Sequence, residues 1–159
     1  MTVQVWDATT GEAICIYSGH TGGVMSVAWS PDGKCIASSS DWGQTVEDDG
    51  TPGRDDTPKV HLWEALTGSN PVFCDNDPHQ ARIPAVVWSP DGRFVATGEI
   101  FGQVQVYDAA TGDAIARMFS PVRGQSQQPG AALALAWSPD GQRIAASFNG
   151  SLVCVWPAR

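Results

Sequence analysis

Three near-copies of one stretch dictate what this chain can fold into. Residues 24–38 read VMSVAWSPDGKCIAS, residues 83–97 read IPAVVWSPDGRFVAT, and residues 132–146 read ALALAWSPDGQRIAA. Each is an apolar run ending in Trp-Ser, then Pro-Asp-Gly, then a second apolar run. Proline pre-sets φ at the first turn position, aspartate bonds its own backbone, and glycine takes the positive φ that closes a bulged hairpin. Each copy therefore predicts two antiparallel strands joined by a tight turn, and three copies in 159 residues predict a repeat architecture.

The segments between the hairpins repeat as well. Residues 2–6 (TVQVW) alternate as a strand, 7–12 (DATTGE) form a turn, and 13–17 (AICIY) form a second strand. The same order returns as Val60 to Trp63, EALTGS and a short strand near 71–74. It returns again as Val104 to Tyr107, DAATGD and a strand near 114–119, and ends with Val153 to Trp156. The spacing from Trp29 to Trp88 is 59 residues and from Trp88 to Trp137 it is 49. Both exceed a base unit of about 40–45 residues, so the excess is inserted loop.

Charge and composition exclude several classes of function. Lys and Arg number 9 against 17 Asp and Glu, giving a net charge of −8. A nucleic-acid surface needs a basic face to displace counterions from phosphates, and an anionic membrane needs the same, so neither is an expected partner. A protein or peptide partner remains open. No run approaches the roughly 20 apolar residues of a membrane-spanning helix. The N-terminal MTVQVWDATTGEA has neither a basic start nor an apolar signal core. The expectation is a soluble, cytoplasmic chain. It enters a strand at once, as a fragment or a truncated reading frame would.

The four cysteines, Cys15, Cys35, Cys74 and Cys154, form no CxxC pair and sit in apolar runs, where free thiols pack as small hydrophobes. Cys15 and Cys74 each precede a histidine by five residues, a spacing that does not suit zinc. Acidic residues Glu47, Asp48, Asp49, Asp55 and Asp56, and the Asp75-Asn76-Asp77 run, lack the ligand pattern of a calcium loop. No metal, cofactor or catalytic residue is expected.

The order Gly19-His20, then VAWSPDG, then IASSSD, then Val-x-Val-Trp-Asp resembles the WD40 repeat, and the resemblance covers essentially the whole chain. It implies an all-β fold: four-stranded antiparallel blades of a β-propeller, with strands a to d running from the centre outward. On that basis residues 1–159 form a single repeat region. Its blades are a partial c–d pair (1–17), two full blades (24–74 and 83–119) and a partial a–b–c sheet (132–156), thirteen strands in all. The resemblance also implies a non-enzymatic platform for protein or peptide partners.

WD40 blades often carry a hydrogen-bonded tetrad, and its positions here are His20, Ser38, Asp41 and Trp63 in the first full blade. The second has His79, Thr97 and Tyr107, with Ile100 where Asp is expected and Glu99 beside it. The third has Gln128, Ala146, Asn149 and Trp156, so its polar set is largely lost and packing is expected to hold it. A His/Ser/Asp set invites comparison with a catalytic triad. The set is read instead as a buried relay that pairs polar groups of neighbouring strands and staples the fold, and no Gly-x-Ser-x-Gly elbow is present. His61, in a c strand, is read as a packing residue.

Three blades are too few to close, because propellers take about four to eight. Two large apolar sheet faces would stay open, which drives association. Two chains would give six blades and three would give nine; two-fold symmetry favours the homodimer. At the junction one c strand is surplus, so either Thr2–Trp6 or Leu152–Trp156 must leave. In an up-and-down blade the long segments 41–58, 75–82 and 120–131 all emerge at one end, and the short a–b and c–d turns at the other. Loops on a rigid scaffold are the usual form of a binding surface. Trp42, Arg54, Arg82, Phe101 and Arg123 are the candidate contact residues there, being of the types enriched at hot spots. The rival reading is a piece of a larger repeat protein whose only intrinsic activity is ring assembly.

Overall fold

The computed structural model describes residues 1–41, 45–46, 50, 52–53, 57, 59–74, 82–120, 130–149 and 152–158. Among them lie fifteen strands, β1 (Val3–Trp6), β2 (Ala13–Tyr17), β3 (Val24–Trp29), β4 (Cys35–Ser40), β5 (Thr45–Val46), β6 (Pro52–Gly53), β7 (Val60–Glu64), β8 (Val72–Cys74), β9 (Ala85–Trp88), β10 (Phe94–Gly98), β11 (Gln103–Asp108), β12 (Ala114–Phe119), β13 (Ala132–Trp137), β14 (Arg143–Phe148) and β15 (Leu152–Pro157). Every pairing is antiparallel. The sheets are a β1–β2 hairpin, two four-stranded meanders (β3-β4-β7-β8 and β9-β10-β11-β12), a three-stranded sheet (β13-β14-β15) and a small β5–β6 hairpin. The all-β propeller-blade architecture holds. The β5–β6 pair lies within the inserted 41–58 segment, which sequence reading left as loop.

The Ser-Pro-Asp-Gly turns close as their chemistry dictates. Ser30 Oγ donates to Asp32 Oδ1 at 2.7 Å and accepts from the Cys35 amide at 2.9 Å, while Asp32 Oδ1 also accepts from the Lys34 amide at 3.1 Å. Gly33 sits at φ 71°, the left-handed region that favours glycine. The same contacts recur at Ser89/Asp91 and Ser138/Asp140. The hydroxyl and then the backbone donor hold the Asp32 and Asp140 carboxyls below the ordinary carboxylate range. In the β7–β8 turn Glu64 replaces the aspartate used by its two counterparts, and its carboxylate gathers Thr67, Ser69 and Asn70 instead.

Burial is two-sided. Val60 and Leu62 of β7, with Ala37 and Cys74, pack against Ile83, Val86, Trp88 and Tyr107 of the next sheet. Val104 and Val106 of β11 pack in turn against Ile144, Ala146 and Phe148 of the third. On the other side of the first sheet, Ile36, Trp63 and Ala65 receive Val3, Val5, Cys15 and Tyr17 of the β1–β2 hairpin. Polar ties cross these layers: Trp88 Nε1 donates to the Ala28 carbonyl at 3.1 Å, and Ser39 Oγ to the Ile83 carbonyl at 2.8 Å. At the place equivalent to Ser39 in the next sheet, Gly98 lets the third sheet come close; a Cβ there would lie 2.8 Å from the Ala132 carbonyl oxygen.

The two end faces are open, and the repeat itself shows why. Val27 and Trp29 of β3 are 54% and 52% exposed, while their register equivalents Val86 and Trp88, which have a full sheet in front of them, are 7% and 8% exposed. At the far end, Val153 and Val155 of β15 are 66% and 59% exposed, although their equivalents in β1, β7 and β11 are all buried. The same side chains at the same register are buried or bare according to whether a neighbouring sheet covers them.

Candidate functional site

The polar relay in the first full sheet is built from two strands and one connection. Ser38, on β4, lies opposite His61 of β7 and Val27 of β3. Its hydroxyl accepts from Trp63 Nε1 at 3.0 Å and bonds His20 Nε2 at 2.7 Å. Asp41 does not complete the relay: its Oδ1 accepts from the Gly23 amide, and His20 Nδ1 has no hydrogen-bond partner. The carboxylate lies so near Gly23 that a Cβ there would sit 3.1 Å from Oδ1, and it ties the entry of β3 to the end of β4.

Around the relay stands a ring cluster that sequence reading missed. His20 stacks on His61 with centroids 4.0 Å apart, Tyr17 stacks on Trp63 at 4.4 Å, and Phe73 meets His61 edge-on at 4.8 Å. Tyr17 Oη bonds His61 Nδ1 at 2.8 Å, so the hairpin is pinned to the sheet by a polar contact as well as by apolar ones. The available signal was Gly19: any side chain there would run into the Tyr17 ring. His61 is thus a packing residue that also hydrogen-bonds.

The electrostatics set this cluster apart from a catalytic one. Burial, then the neighbouring His61 and Lys59, lower the His20 pKa to about 3. A general base works best with a pKa near the operating pH, and Ser38 is wholly buried. A nucleophile that no substrate can reach and a base that stays neutral do not make a triad.

In the second sheet Thr97 and Tyr107 are buried, and burial followed by the Glu99 carboxylate raises the Tyr107 hydroxyl. Ile100 occupies the turn position of Asp41, its amide bonding the Arg82 carbonyl as that of Asp41 bonds Gly23. The acid has moved one place back: Glu99 is buried and accepts from Gln103 Nε2, which also reaches Gln105 Oε1, itself bonded by Arg117 Nε at 2.8 Å. In the third sheet Ala146 is buried and Trp156 meets Phe148 edge-on at 5.9 Å, an apolar arrangement. His79 and Gln128 lie outside the described residues.

Of the candidate contact residues, Arg82 and Phe101 are both exposed, and their segments lie at one end of the second sheet, where the Ile100 amide bonds the Arg82 carbonyl at 3.3 Å. Trp42, Arg54 and Arg123 lie outside the described residues. At the same end of the first sheet, Thr21 bonds Thr57 at 2.9 Å and Thr57 accepts from Lys59 Nζ at 3.1 Å, tying the β2–β3 connection to the β4–β7 segment. The opposite end carries two shallow grooves of about 630 and 770 Å³ between successive Ser-Pro-Asp-Gly turns, lined by Pro90, Asp91 and Asp140 in one and Asp32, Arg93 and Asp108 in the other.

Sheets stacked face to face through a repeated c strand, with no reachable catalytic group in the relay, define an array of propeller blades. The chain belongs to the WD domain, G-beta repeat family, which it matches over residues 11–47, 72–108 and 122–156. It is 32% identical over 143 residues to the small ribosomal subunit protein RACK1 of Schizosaccharomyces pombe, covering 87% of this chain and 38% of that one. It is 27% identical over 149 residues to Protein HIR1 of Cryptococcus neoformans, covering 90% of this chain and 15% of that one. It thus spans well under half of either relative. Among solved structures, the computationally designed Ika4 protein superposes with a TM-score of 0.68 at 21% identity, covering 98% of this chain and 79% of that chain.

The relay predicts a pH dependence. An unfolded histidine titrates near 6.5, while folded His20 stays neutral down to about 3. Between those values the unfolded chain binds more protons, so stability falls as pH drops through about 6.5 toward 3. Urea midpoints measured from pH 7 to pH 5, above the range of the exposed carboxylates, should decline for the natural chain and decline less for His20→Gln. Equal slopes would contradict the assignment.

Proposed function

We propose that this chain is a non-enzymatic protein-interaction scaffold whose partner binds at the end carrying the long segments. The observation that carries this reading is the exposure of Arg82 and Phe101 there, on segments tied by the Ile100–Arg82 backbone bond, in a family that includes a protein named as part of the small ribosomal subunit. Arg and aromatic anchors are the types on which interface energy concentrates. The short segments at the opposite end are committed to closing turns. The four free thiols suit a reducing compartment, and we place the chain in the cytoplasm. Replacing Arg82 and Phe101 together by Ala should leave the unfolding free energy from urea titration within about 0.5 kcal/mol of the natural value. It should reduce capture of partner proteins by at least tenfold in a quantitative pull-down. An unchanged partner set would refute the face assignment.

The scaffold also assembles with itself. The open faces on β3 and β15 are apolar and are the two halves of the interface that already joins successive sheets. A homodimer giving six blades is the favoured closure, with a nine-blade homotrimer as the next multiple. Light scattering of the purified chain should give about twice the 16.8 kDa chain mass. A folded species of one chain mass at micromolar concentration would overturn self-assembly.

A further inference from the structure

The strand surplus at the junction has a structural solution. Four strands share one pattern at one register: Val3-Gln4-Val5-Trp6 in β1, Val60-His61-Leu62-Trp63 in β7, Val104-Gln105-Val106-Tyr107 in β11 and Val153-Cys154-Val155-Trp156 in β15. In the first three, the residues at the first and third places are buried against the sheet that follows. In β15 the corresponding Val153 and Val155 face outward with nothing before them. The seat that fits such a pair exists on the same chain: Val3 and Val5 occupy it, against Ile36, Trp63 and Ala65.

We propose that β15 of a second copy takes the place of β1 beside β2, so that β1 is the strand that leaves; this rests on the self-association proposed above. The exchange replaces two buried valines by two valines at the same register, so the seat itself is filled equally well. The difference lies in what comes with each strand. β1 is joined only to β2, and beside it a groove of about 220 Å³ opens over Val5, Trp6, Val27, Trp29 and Ile36. β15 brings β14 and β13 with it, paired in order. Those two strands are the a and b members that the β1–β2 hairpin lacks, and they would cover Val27 and Trp29. The incoming faces carry Ala136 and Ala145, the register counterparts of Ala28 and Ala37, which pack with Val86 and Trp88 between the first two sheets. Small side chains there leave room for the Trp29 ring. The product is a four-stranded sheet β13-β14-β15-β2 at each junction, and two copies then hold six complete sheets.

The register makes the proposal testable by a cross-link. β1 pairs with β2 so that Val5 faces Cys15; after exchange, Val155 of the second copy faces Cys15 instead. Directly opposed residues of an antiparallel pair have Cα atoms about 4.5–5.5 Å apart, within the span of a disulfide. Val155 is exposed and Cys154 only partly buried, so Val155→Cys combined with the small-for-small change Cys154→Ala is expected to keep the fold, which a circular-dichroism melt checks. After mild oxidation most of this variant should run as a covalent dimer on a non-reducing gel, and adding Cys15→Ala should abolish the band. A dimeric mass by light scattering with no cross-link would overturn the exchange while leaving self-assembly standing. A monomeric mass would overturn both. A cross-link that survives Cys15→Ala would also overturn the exchange. Independently, Val5→Asp, which makes β1 unfit for its seat, should leave the dimer mass unchanged, because β1 is already displaced there; loss of the dimer would count against the proposal.

Discussion

Burial of both faces of each sheet is the constraint on which the rest of the structure depends. An isolated four-stranded meander of this size buries one layer of side chains; here β7 and β11 bury two, with Trp63 or Tyr107 toward one neighbour and the Val60–Leu62 or Val104–Val106 pair toward the other. Burying a side chain of this kind contributes on the order of 1.5–3 kcal/mol. The c strands of the two four-stranded sheets receive that contribution from both sides, and the β1–β2 hairpin and the three-stranded sheet from one. The apolar alternation that makes a strand amphipathic in a one-sided sheet is therefore replaced by near-continuous burial in β4, β7, β10 and β11. Open end faces are the direct consequence of stopping such a stack.

The polar relay belongs to the same logic. The Ser38 hydroxyl, the Trp63 indole and Nε2 of the His20 imidazole pair with one another inside an apolar layer, where an unpaired group is costly; His20 Nδ1 is left without a partner. Because those groups come from β4, β7 and the β2–β3 connection, the relay fixes the register of the strands and the entry into β3 together. The second sheet reaches a similar end with different chemistry, Glu99 through Gln103 and Gln105 to Arg117. The third does without it, as Ala146 and Phe148 pack where polar groups stand elsewhere. Polar pairing in this fold thus specifies geometry.

Much of this was legible in the residues. The Ser-Pro-Asp-Gly turns could be read because every contact in them is local: serine, aspartate and glycine act within five residues. The c strands could be read because Val-x-Val-Trp recurs. The contacts that could not be read are those between segments far apart in the chain. The Tyr17–His61 bond spans 44 residues and depends on how the hairpin docks. Asp41 was expected beside His20 and instead serves the Gly23 amide, because a backbone donor at the start of β3 lies within its short reach. Glu99 could be seen beside Ile100, but only the pairing of β10 with β11 shows that it turns inward to Gln103. Pro52-Gly53 gave no strand signal, since neither residue favours a sheet, and yet it pairs with Thr45–Val46.

A sheet in this array is stable to the extent that both its faces are covered, and under the self-association proposed above the outer sheets are completed by another copy. Amide hydrogen exchange measured across a range of chain concentrations tests it directly. β9, β10 and β11 should exchange slowly at every concentration, while β2, β13, β14 and β15 should gain protection as concentration rises. Protection that is the same in all sheets, or that does not depend on concentration at the ends of the array, would contradict it.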